Sequence, residues 1–356
     1  MTPLGAEIAA LIRQNGPIGV DRYMALCLGH PVHGYYRIRD PLGAQGDFTT
    51  APEISQMFGE LIGAWTAYVH GLMGRPDPLV LVELGPGRGT LMADALRTLH
   101  AAAPETRVMP HLVETSPALR AVQERNLTGT GAEWHVGIES LPQGPAIILA
   151  NEFFDCLPVR QFERRATGWH ERQVGLGPQG GLVFGLSPEP TPGLAPEGPE
   201  GALMSVPAAG LALIRTVALR LRAAGGVLLA IDYGHTRPGF GDTLQALSGH
   251  SFADPLAEPG AADLTHHVDF SALARAARTE GADVQGPVDQ RTFLLALGLQ
   301  ARAGRLKARA TNVQAAAIDA AVDRLTDPGQ RGMGSLFKVM AVSGPGLGSL
   351  PGFADA

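Results

Sequence analysis

An uninterrupted apolar segment followed at once by a glycine-rich turn is the feature that most restricts the fold of this chain. The segment LVLVEL spans residues 79–84 and leads directly into GPGRG at 85–89. Continuous apolar runs of this length are typical of strands buried on both faces of a parallel sheet. Glycines after such a strand allow a tight turn and let a ligand approach the backbone closely. The combination predicts an α/β protein with a ligand site after this strand.

The rest of the chain alternates predicted strands and helices, as a doubly wound sheet requires. Further strands are predicted at 111–115, 132–136, 145–155, 227–234, within 282–300, and at 336–343. Helices are predicted at 90–103, from Ser116 onward, and at 211–226, 269–281 and 305–325. In such sheets ligands bind beyond the carboxyl ends of the strands. Residues that directly follow the strands are therefore the candidates for chemistry.

Composition excludes several classes of protein. The 28 basic and 34 acidic side chains give a formal net charge of −6, which offers no basic surface for nucleic acid. Two cysteines, Cys27 and Cys156, are too few for a disulfide framework or a cysteine-rich metal site. No apolar window approaches the length of a membrane span, and the pattern of a secretory signal is missing. We therefore expect a cytoplasmic protein without a membrane span.

The distribution of helices, glycines and prolines along the chain suggests four segments. Residues 1–75 read as an N-terminal helical cap, and 76–234 as the core, with a Gly/Pro-rich hairpin at 175–205. Residues 235–268 look irregular and form an insertion that could close as a lid. Residues 269–356 would supply the remaining strands and helices of the core.

The acid and the glycines at 83–89 favour a ligand with a positive charge. Their spacing is GxGxG, not the GxGxxG of dinucleotide-binding folds. S-adenosyl-L-methionine carries both a sulfonium and an α-amino group, so it suits an acidic residue at the strand end. The candidate cofactor-binding residues here are Glu83, Gly85, Pro86, Gly87 and Gly89. A glycine-rich turn without a ligand and a dinucleotide site are the alternatives.

Two more residues are assigned to the cofactor. Glu114 ends the second predicted strand, where a carboxylate can accept hydrogen bonds from both hydroxyls of a ribose. Asn151 leaves the fourth predicted strand, beside the expected methyl donor. The alternatives are a solvated glutamate at a strand end and an asparagine that caps its own loop.

Acidic residues after the fourth and fifth predicted strands are the candidates for catalysis. Glu152 and Asp155 could hold a guanidinium in a bidentate grip and take up the proton released on methylation. Asp232 and His235 could line the same opening, with His235 as a base. Loop capping by Asp155 and a plain turn at 232–235 are the alternatives.

A metal site is not predicted. Asp263, His267 and Asp269 could in principle surround an ion, but no HxxxH or HExxH pattern supports one. His266 and His267 are adjacent, so in a strand they would point to opposite faces.

Several motifs, in this order, resemble the MidA family of class I S-adenosyl-L-methionine-dependent methyltransferases. They are GDFTTAPEIS (46–55), FGELIGAW (58–65), VELGPGRGTLMAD (82–94), NEFFDCLPV (151–159), IDYGH (231–235), DLTHHVDFSAL (263–273), QRTFLLALGL (290–299) and GMGSLFKVMA (332–341). The resemblance spans about residues 5–343 and is weakest in the stretch 175–205.

The resemblance implies a seven-stranded sheet of order 3-2-1-4-5-7-6, an N-terminal helical cap and an insertion after the fifth strand. It implies S-adenosyl-L-methionine as donor and S-adenosyl-L-homocysteine as product, with Glu114 on the ribose. Mitochondrial members assist respiratory complex I assembly by forming symmetric dimethylarginine on the quinone-site subunit. By this resemblance the substrate would be a protein, and Glu152 and Asp155 would hold the guanidinium.

Two other functions stay open. A small-molecule acceptor would make Asp232 or His235 the base. An assembly chaperone would retain the cofactor pocket for structure alone. A homodimer is compatible with either function.

Overall fold

The computed structural model describes residues 2–38, 49–194, 196–329 and 332–353. The first part of the motif at 46–55, residues 46–48, lies outside the described residues. Within those residues, no helix combines the length and the apolar character that crossing a membrane requires.

The described residues contain twelve α-helices and one 3₁₀-helix, Ile138–Ser140. The α-helices are α1 (Pro3–Asn15), α2 (Val20–Gly29), α3 (Tyr35–Ile38), α4 (Ala51–Ile54), α5 (Gln56–Leu72), α6 (Thr90–Ala102), α7 (Pro117–Asn126), α8 (Ala208–Ala224), α9 (Phe270–Thr279), α10 (Gln290–Ala296), α11 (Leu299–Lys307) and α12 (Asn312–Thr326). Polar caps fix several starts, because a side-chain oxygen satisfies a backbone N–H that has no partner within the helix. Ser116, for example, accepts a hydrogen bond from the N–H of Leu119 at the start of α7.

The strands number sixteen in the described part of the chain. They are β1 (Ile18–Gly19), β2 (Leu79–Leu84), β3 (Val108–Val113), β4 (Glu133–His135), β5 (Ala146–Asn151), β6 (Arg160–Arg165), β7 (Gly168–Leu176), β8 (Leu182–Pro190), β9 (Leu203–Val206), β10 (Gly226–His235), β11 (Gln245–Ser248), β12 (Ser251–Ala253), β13 (Asp263–Thr265), β14 (Val268–Asp269), β15 (Asp283–Asp289) and β16 (Phe337–Ser343). All seven predicted core strands are present, with ends that differ by a few residues.

Two compact units make up the chain, and each is assembled from separate segments. The first unit contains Met1–Phe48, Asp155–Ala212 and Arg237–Asp269. The second unit contains Thr49–Phe154, Leu213–Thr236 and Phe270–Ala356.

These units differ from the four consecutive segments that the sequence suggests. Helix α5, which we placed in the cap at 1–75, belongs to the second unit because it packs closely on α6. A Cβ on Gly63 of α5 would lie only 2.7 Å from the carbonyl oxygen of Ala95. Conversely, 155–212 belongs to the first unit, since its strand β7 pairs with β1 near the N-terminus.

The sheet of the second unit carries its main strands in the order β15-β16-β10-β5-β2-β3-β4. Counted in chain order among themselves, and read from the β4 edge, these seven strands run 3-2-1-4-5-7-6. The pairs from β4 to β10 are parallel, whereas β16 is antiparallel to both of its neighbours. The unit therefore has the predicted α/β architecture with a mostly parallel sheet.

The strand register brings the ends of the central strands to one edge of this sheet. Leu84 of β2 is level with Val113 of β3 and with Ala150 of β5. Asn151, the last residue of β5, is level with Ile231 of β10. The residues that follow β2, β3, β5 and β10 thus leave the sheet together.

The first unit is built around antiparallel sheets. One sheet has the order β1-β7-β6-β9, with β8 on β7, and the other has the order β12-β11-β13. Strands β7 and β8 form a hairpin over Gly168–Pro190, joined by a turn in which Gly177 N–H donates to the carbonyl of Gly181 at 2.8 Å. It overlaps the hairpin predicted at 175–205 only in part. Residues 245–265, which we expected to be irregular, contain three strands. The proposed movement of 235–268 as a lid stays a prediction.

Candidate functional site

The turn after β2, residues 85–89, which we call the donor loop, depends on its glycines. Gly85, Gly87 and Gly89 have φ angles of +61°, +54° and +80°, values that other residues adopt only at a cost. A Cβ on Gly85 would also lie 2.7 Å from Cδ2 of Phe153. Gly89 N–H donates to the carbonyl of Pro86 at 2.7 Å, which closes the turn at the start of α6. The loop therefore requires glycine at these positions, both for its backbone angles and, at Gly85, for the close approach of Phe153.

Glu83 lies near the end of β2, the strand that leads into the donor loop. It is buried in β2 and accepts a hydrogen bond from the backbone N–H of Met92 in α6. Burial raises the pKa of its carboxyl to about 8, and the Met92 bond opposes this only partly. The bond to Met92 ties the strand to the helix beneath the donor loop, while Oε2 of Glu83 is buried without a hydrogen-bond partner among the described residues. The predicted contact of Glu83 with the cofactor stays a prediction.

Glu114 is held in place directly after β3. Its Oε1 accepts from Ser116 N–H at 2.6 Å, and its Oε2 accepts from Gln123 Nε2 at 3.1 Å. Its backbone N–H donates to the carbonyl of His135 at 2.9 Å. The carboxylate is only half-buried, so a ribose can still reach it. The contact of Glu114 with the ribose stays a prediction.

Gln123 is a residue that sequence reasoning missed. It is fully buried in α7, and its Nε2 donates both to the carbonyl of Gly87 at 2.7 Å and to Glu114. Its Oε1 accepts from Nε1 of Trp134 at 2.8 Å. One amide thus links the donor loop to the acidic residue after the neighbouring strand. Buried amides with every hydrogen bond satisfied are rigid, which suits a positioning role.

Helix α4 supplies a second support for the donor loop that the sequence did not reveal. The hydroxyl of Thr90 donates to Glu53, and the guanidinium of Arg88 lies 3.8 Å from the same carboxylate. Both partners of Glu53 belong to the loop or to the first turn of α6. No local pattern at 51–54 indicates this contact, because the partners are 35 or more positions apart.

The segment that follows β5, residues 152–154, forms what we call the acceptor turn. Glu152 has a φ of +49°, the left-handed region that a non-glycine residue seldom occupies. Its Oε1 accepts from the N–H of Ala51 at 3.1 Å and from Nδ2 of Asn151 at 3.3 Å. Such strain persists only where the surroundings enforce it, and it often marks a functional position.

Asn151 is buried, and only one end of its amide is occupied. Nδ2 donates to Glu152, but Oδ1 has no hydrogen-bond partner among the described residues. A buried carbonyl oxygen of this kind can accept a hydrogen bond from a ligand. This feature fits the predicted contact of Asn151 with the cofactor.

Asp232 holds the acceptor turn. Its Oδ2 accepts from the N–H groups of Phe153 at 3.1 Å and Phe154 at 2.9 Å, and its Oδ1 accepts from Tyr233 N–H at 2.9 Å. The residue is fully buried. Because three backbone donors occupy both oxygens, we reassign Asp232 from catalysis to positioning.

His235 and Asp155 are the other two residues that the sequence analysis predicts to be catalytic. His235 ends β10 and is half-exposed at the carboxyl edge of the sheet. Asp155 is buried and opens a segment of the first unit, where its carbonyl accepts from His266 N–H at 3.0 Å. Its predicted partnership with Glu152 in the second unit stays a prediction.

The residues of the second unit fit S-adenosyl-L-methionine. Gly85 allows the ring of Phe153 to pack against the donor loop, Asn151 offers a buried oxygen, and Glu114 is held beside the donor loop through Gln123. A backbone cradle, an acceptor for the amino acid end and an acceptor for the ribose are what this cofactor needs.

Comparison with known proteins agrees with this site. A family model described as an S-adenosyl-L-methionine-dependent methyltransferase matches residues 61–288. The chain is 38% identical to a Drosophila melanogaster protein, the mitochondrial protein arginine methyltransferase NDUFAF7 homolog, over 95% of this chain and 84% of that protein. It is 37% identical to the Homo sapiens protein arginine methyltransferase NDUFAF7, over 85% of this chain and 75% of that protein. A Burkholderia thailandensis protein crystallised with S-adenosyl-homocysteine superimposes with a TM-score of 0.84 at 29% identity, covering 99% and 95% of the two chains.

Proposed function

Since this chain belongs to the family of S-adenosyl-L-methionine-dependent methyltransferases, we propose that it methylates arginine side chains of a protein substrate. The observation that carries the proposal is the acceptor turn. It presents Glu152 in a strained conformation next to the donor loop, since Phe153 of the turn contacts the space over Gly85. The relatives named as protein arginine methyltransferases support the same acceptor.

The bound cofactor supplies an activated methyl group on a sulfonium. The donor loop and Asn151 would hold its amino acid end, and Glu114 would hold its ribose. These contacts fix one reactant, so the remaining task is to bring an acceptor nitrogen into line with the methyl group.

Glu152 performs that task for a guanidinium. A free guanidinium has a pKa of roughly 12.5–13.8, so arginine arrives as a cation and needs a carboxylate partner. Hydrogen bonds from Ala51 and Asn151 fix the carboxylate of Glu152, which binds the arginine. Glu152 also accepts the proton that the nitrogen loses on methylation. Asp232 keeps the acceptor turn in place without touching the substrate.

The physiological substrate that we propose is the quinone-site subunit of respiratory complex I. This proposal rests on the resemblance to the MidA family, whose mitochondrial members act on that subunit. The net charge of −6 is compatible with an arginine-containing acceptor.

Transfer of labelled methyl groups into lysate from cells that lack this gene tests the function. We expect one labelled protein band whose hydrolysate contains methylated arginine. Glu152→Gln should retain cofactor binding but reduce transfer at least about tenfold, which corresponds to about 1.4 kcal/mol of barrier. The matched control is Glu124→Gln, because Glu124 lies on the exposed face of α7 and pairs only with Arg120 in the part of the chain described.

Other results would contradict the proposal. Equal turnover in wild type and Glu152→Gln would remove Glu152 from the mechanism. Label in a solvent-extractable compound would indicate a small-molecule acceptor. Full activity in complex I assembly by a Gly87→Val variant that binds no cofactor would indicate a chaperone.

A further inference from the structure

Three potential metal ligands meet at the β4 edge of the sheet in the second unit. His111 of β3 is level with Glu133 of β4, and Val113 is level with His135. Because side chains alternate along strands, His111, Glu133 and His135 share one face. One ligand atom from each lies within 4.8 Å of the other two. Among the residues that the structure describes, no other three His, Cys, Asp or Glu side chains are this close.

The two imidazole rings face each other through nitrogen atoms. Nδ1 of His111 lies 3.0 Å from Nε2 of His135. On the far side of its ring, His135 Nδ1 is 2.9 Å from the hydroxyl of Ser140, which itself donates to the carbonyl of Gly137. A hydroxyl has one hydrogen, so Ser140 must accept from Nδ1. Nε2 of His135 therefore presents its lone pair to His111.

His111 can turn a lone pair toward the same point by giving up the hydrogen bond that its Nδ1–H donates to His135. The side chain is almost fully buried, and its Nε2 has no hydrogen-bond partner within the described chain. Moving the single imidazole proton from Nδ1 to Nε2 frees Nδ1 as a ligand and releases no net proton.

Two charged side chains, Glu133 and Arg220, determine the electrostatic environment of the cluster. Glu133 is exposed, and its Oε2 lies 3.9 Å from Nδ1 of His111, so it can move onto a shared ion. Arg220 opposes a cation electrostatically, but its guanidinium is directed to the carbonyls of Pro142 and Gly144. Glu133, as an anionic third ligand, thus offsets the positive charge of Arg220.

We propose that His111 Nδ1, His135 Nε2 and the Glu133 carboxylate bind a divalent transition-metal ion of the zinc type. Two histidines and one glutamate with an open fourth position form a known zinc ligand set. Zinc–nitrogen bonds of about 2.0–2.1 Å in tetrahedral geometry separate two nitrogens by about 3.3 Å, so the rings need to part by only a few tenths of an ångström. Ser140 supplies the outer hydrogen bond that orients a ligating histidine.

The proposed ion would join the edge strand β4 to β3. Glu114, the proposed ribose ligand, hydrogen-bonds through its backbone to the carbonyl of His135. The ion would therefore stiffen the strand end beside the cofactor site, although the site itself does not depend on the proposed function.

Isothermal titration of the metal-free chain with Zn²⁺ tests the site, with Mg²⁺ as the comparison ion. We expect one Zn²⁺ per chain and a higher Tm with Zn²⁺ only. His135→Ala should weaken binding at least about tenfold, and Glu133→Gln should weaken it less. Both side chains reach the surface, and Glu133→Gln keeps the shape of an exposed residue, so folding is preserved in at least one variant.

The matched control is His33→Ala in the first unit. His33 and His30 flank Glu7 at 3.4 Å and 3.2 Å, so this group has the same composition without facing ring nitrogens. Zn²⁺ binding should survive in the control. Absence of stoichiometric binding in the wild type, or equal affinity in wild type, His135→Ala and Glu133→Gln, would overturn the proposal. Both cysteines remain in every variant, so thiol-bound zinc cannot account for a difference.

Discussion

The donor loop and the acceptor turn both follow buried parallel strands, yet they are fixed in opposite ways. The donor loop uses glycines for its positive φ angles, and side chains from other elements hold its backbone and first helical turn. The acceptor turn places a non-glycine residue, Glu152, in the left-handed region and depends on one buried carboxylate, that of Asp232. Cofactor binding should therefore be sensitive to added side-chain atoms, and methyl transfer to the loss of a single charge.

The largest expected effect is on the donor loop. Gly85→Ala adds a Cβ 2.7 Å from Phe153 at a φ of +61°, so we expect S-adenosyl-L-methionine affinity to fall at least about a hundredfold, or about 2.7 kcal/mol. Calorimetric titration with the cofactor measures this loss.

Gly129→Ala is the control for backbone strain. Gly129 has a φ of +82°, but a Cβ there would meet nothing within 4 Å. The control should lose about 1–2 kcal/mol of unfolding free energy and keep its cofactor affinity. If both variants bind the cofactor normally, the close approach at Gly85 is not part of the site.

An intermediate effect is expected at the acceptor turn. Asp232→Asn replaces one of two accepting oxygens with a donor, so at least one backbone N–H of residues 153, 154 and 233 loses its partner. Hydrogen bonds to charged groups contribute roughly 1.5–3 kcal/mol each. We expect kcat to fall at least about tenfold while cofactor affinity changes less than about twofold. A parallel loss of cofactor affinity would show that the two regions are not separate.

The smallest effect is expected at the link between the donor loop and Glu114. Gln123→Leu removes both Nε2 bonds in a fully buried site, and we expect about a fivefold rise in the KM for S-adenosyl-L-methionine with unchanged kcat. Trp134→Phe removes only the bond to Oε1 of Gln123 and should raise KM less. A fall in kcat with unchanged KM would place Gln123 with the acceptor turn instead.

Sequence patterns predicted the structural features that are determined by residues close together in the chain. The apolar run at 79–84 coincides with β2. A continuous apolar segment that precedes a glycine-rich turn can form few structures other than a buried strand. The positions of the donor loop and the acceptor turn follow from the same logic, since both begin where a buried strand ends. The parallel sheet follows from the alternation of strands and helices.

Contacts between distant parts of the chain were not predictable in this way. Gln123 and Glu53 carry no local signal, because their partners lie far along the sequence. Asp232 was misread because its position at a strand end does not reveal complete burial. Strand β6, RQFERR, has too many charged residues to indicate a strand, although Phe162 and Gln161 are buried. The facing histidines 111 and 135 become neighbours only through the pairing of β3 with β4.

The position of β16 has a consequence for how the chain is made. This strand pairs with β10 on one side and with β15 on the other, yet it is the last of the described strands to leave the ribosome. Until it emerges, β10 has an open edge in its apolar stretch, and unpaired edges of this kind invite association with other chains. The nascent protein therefore needs its final strand, or a molecular chaperone in its place, before the sheet that carries the donor loop is closed.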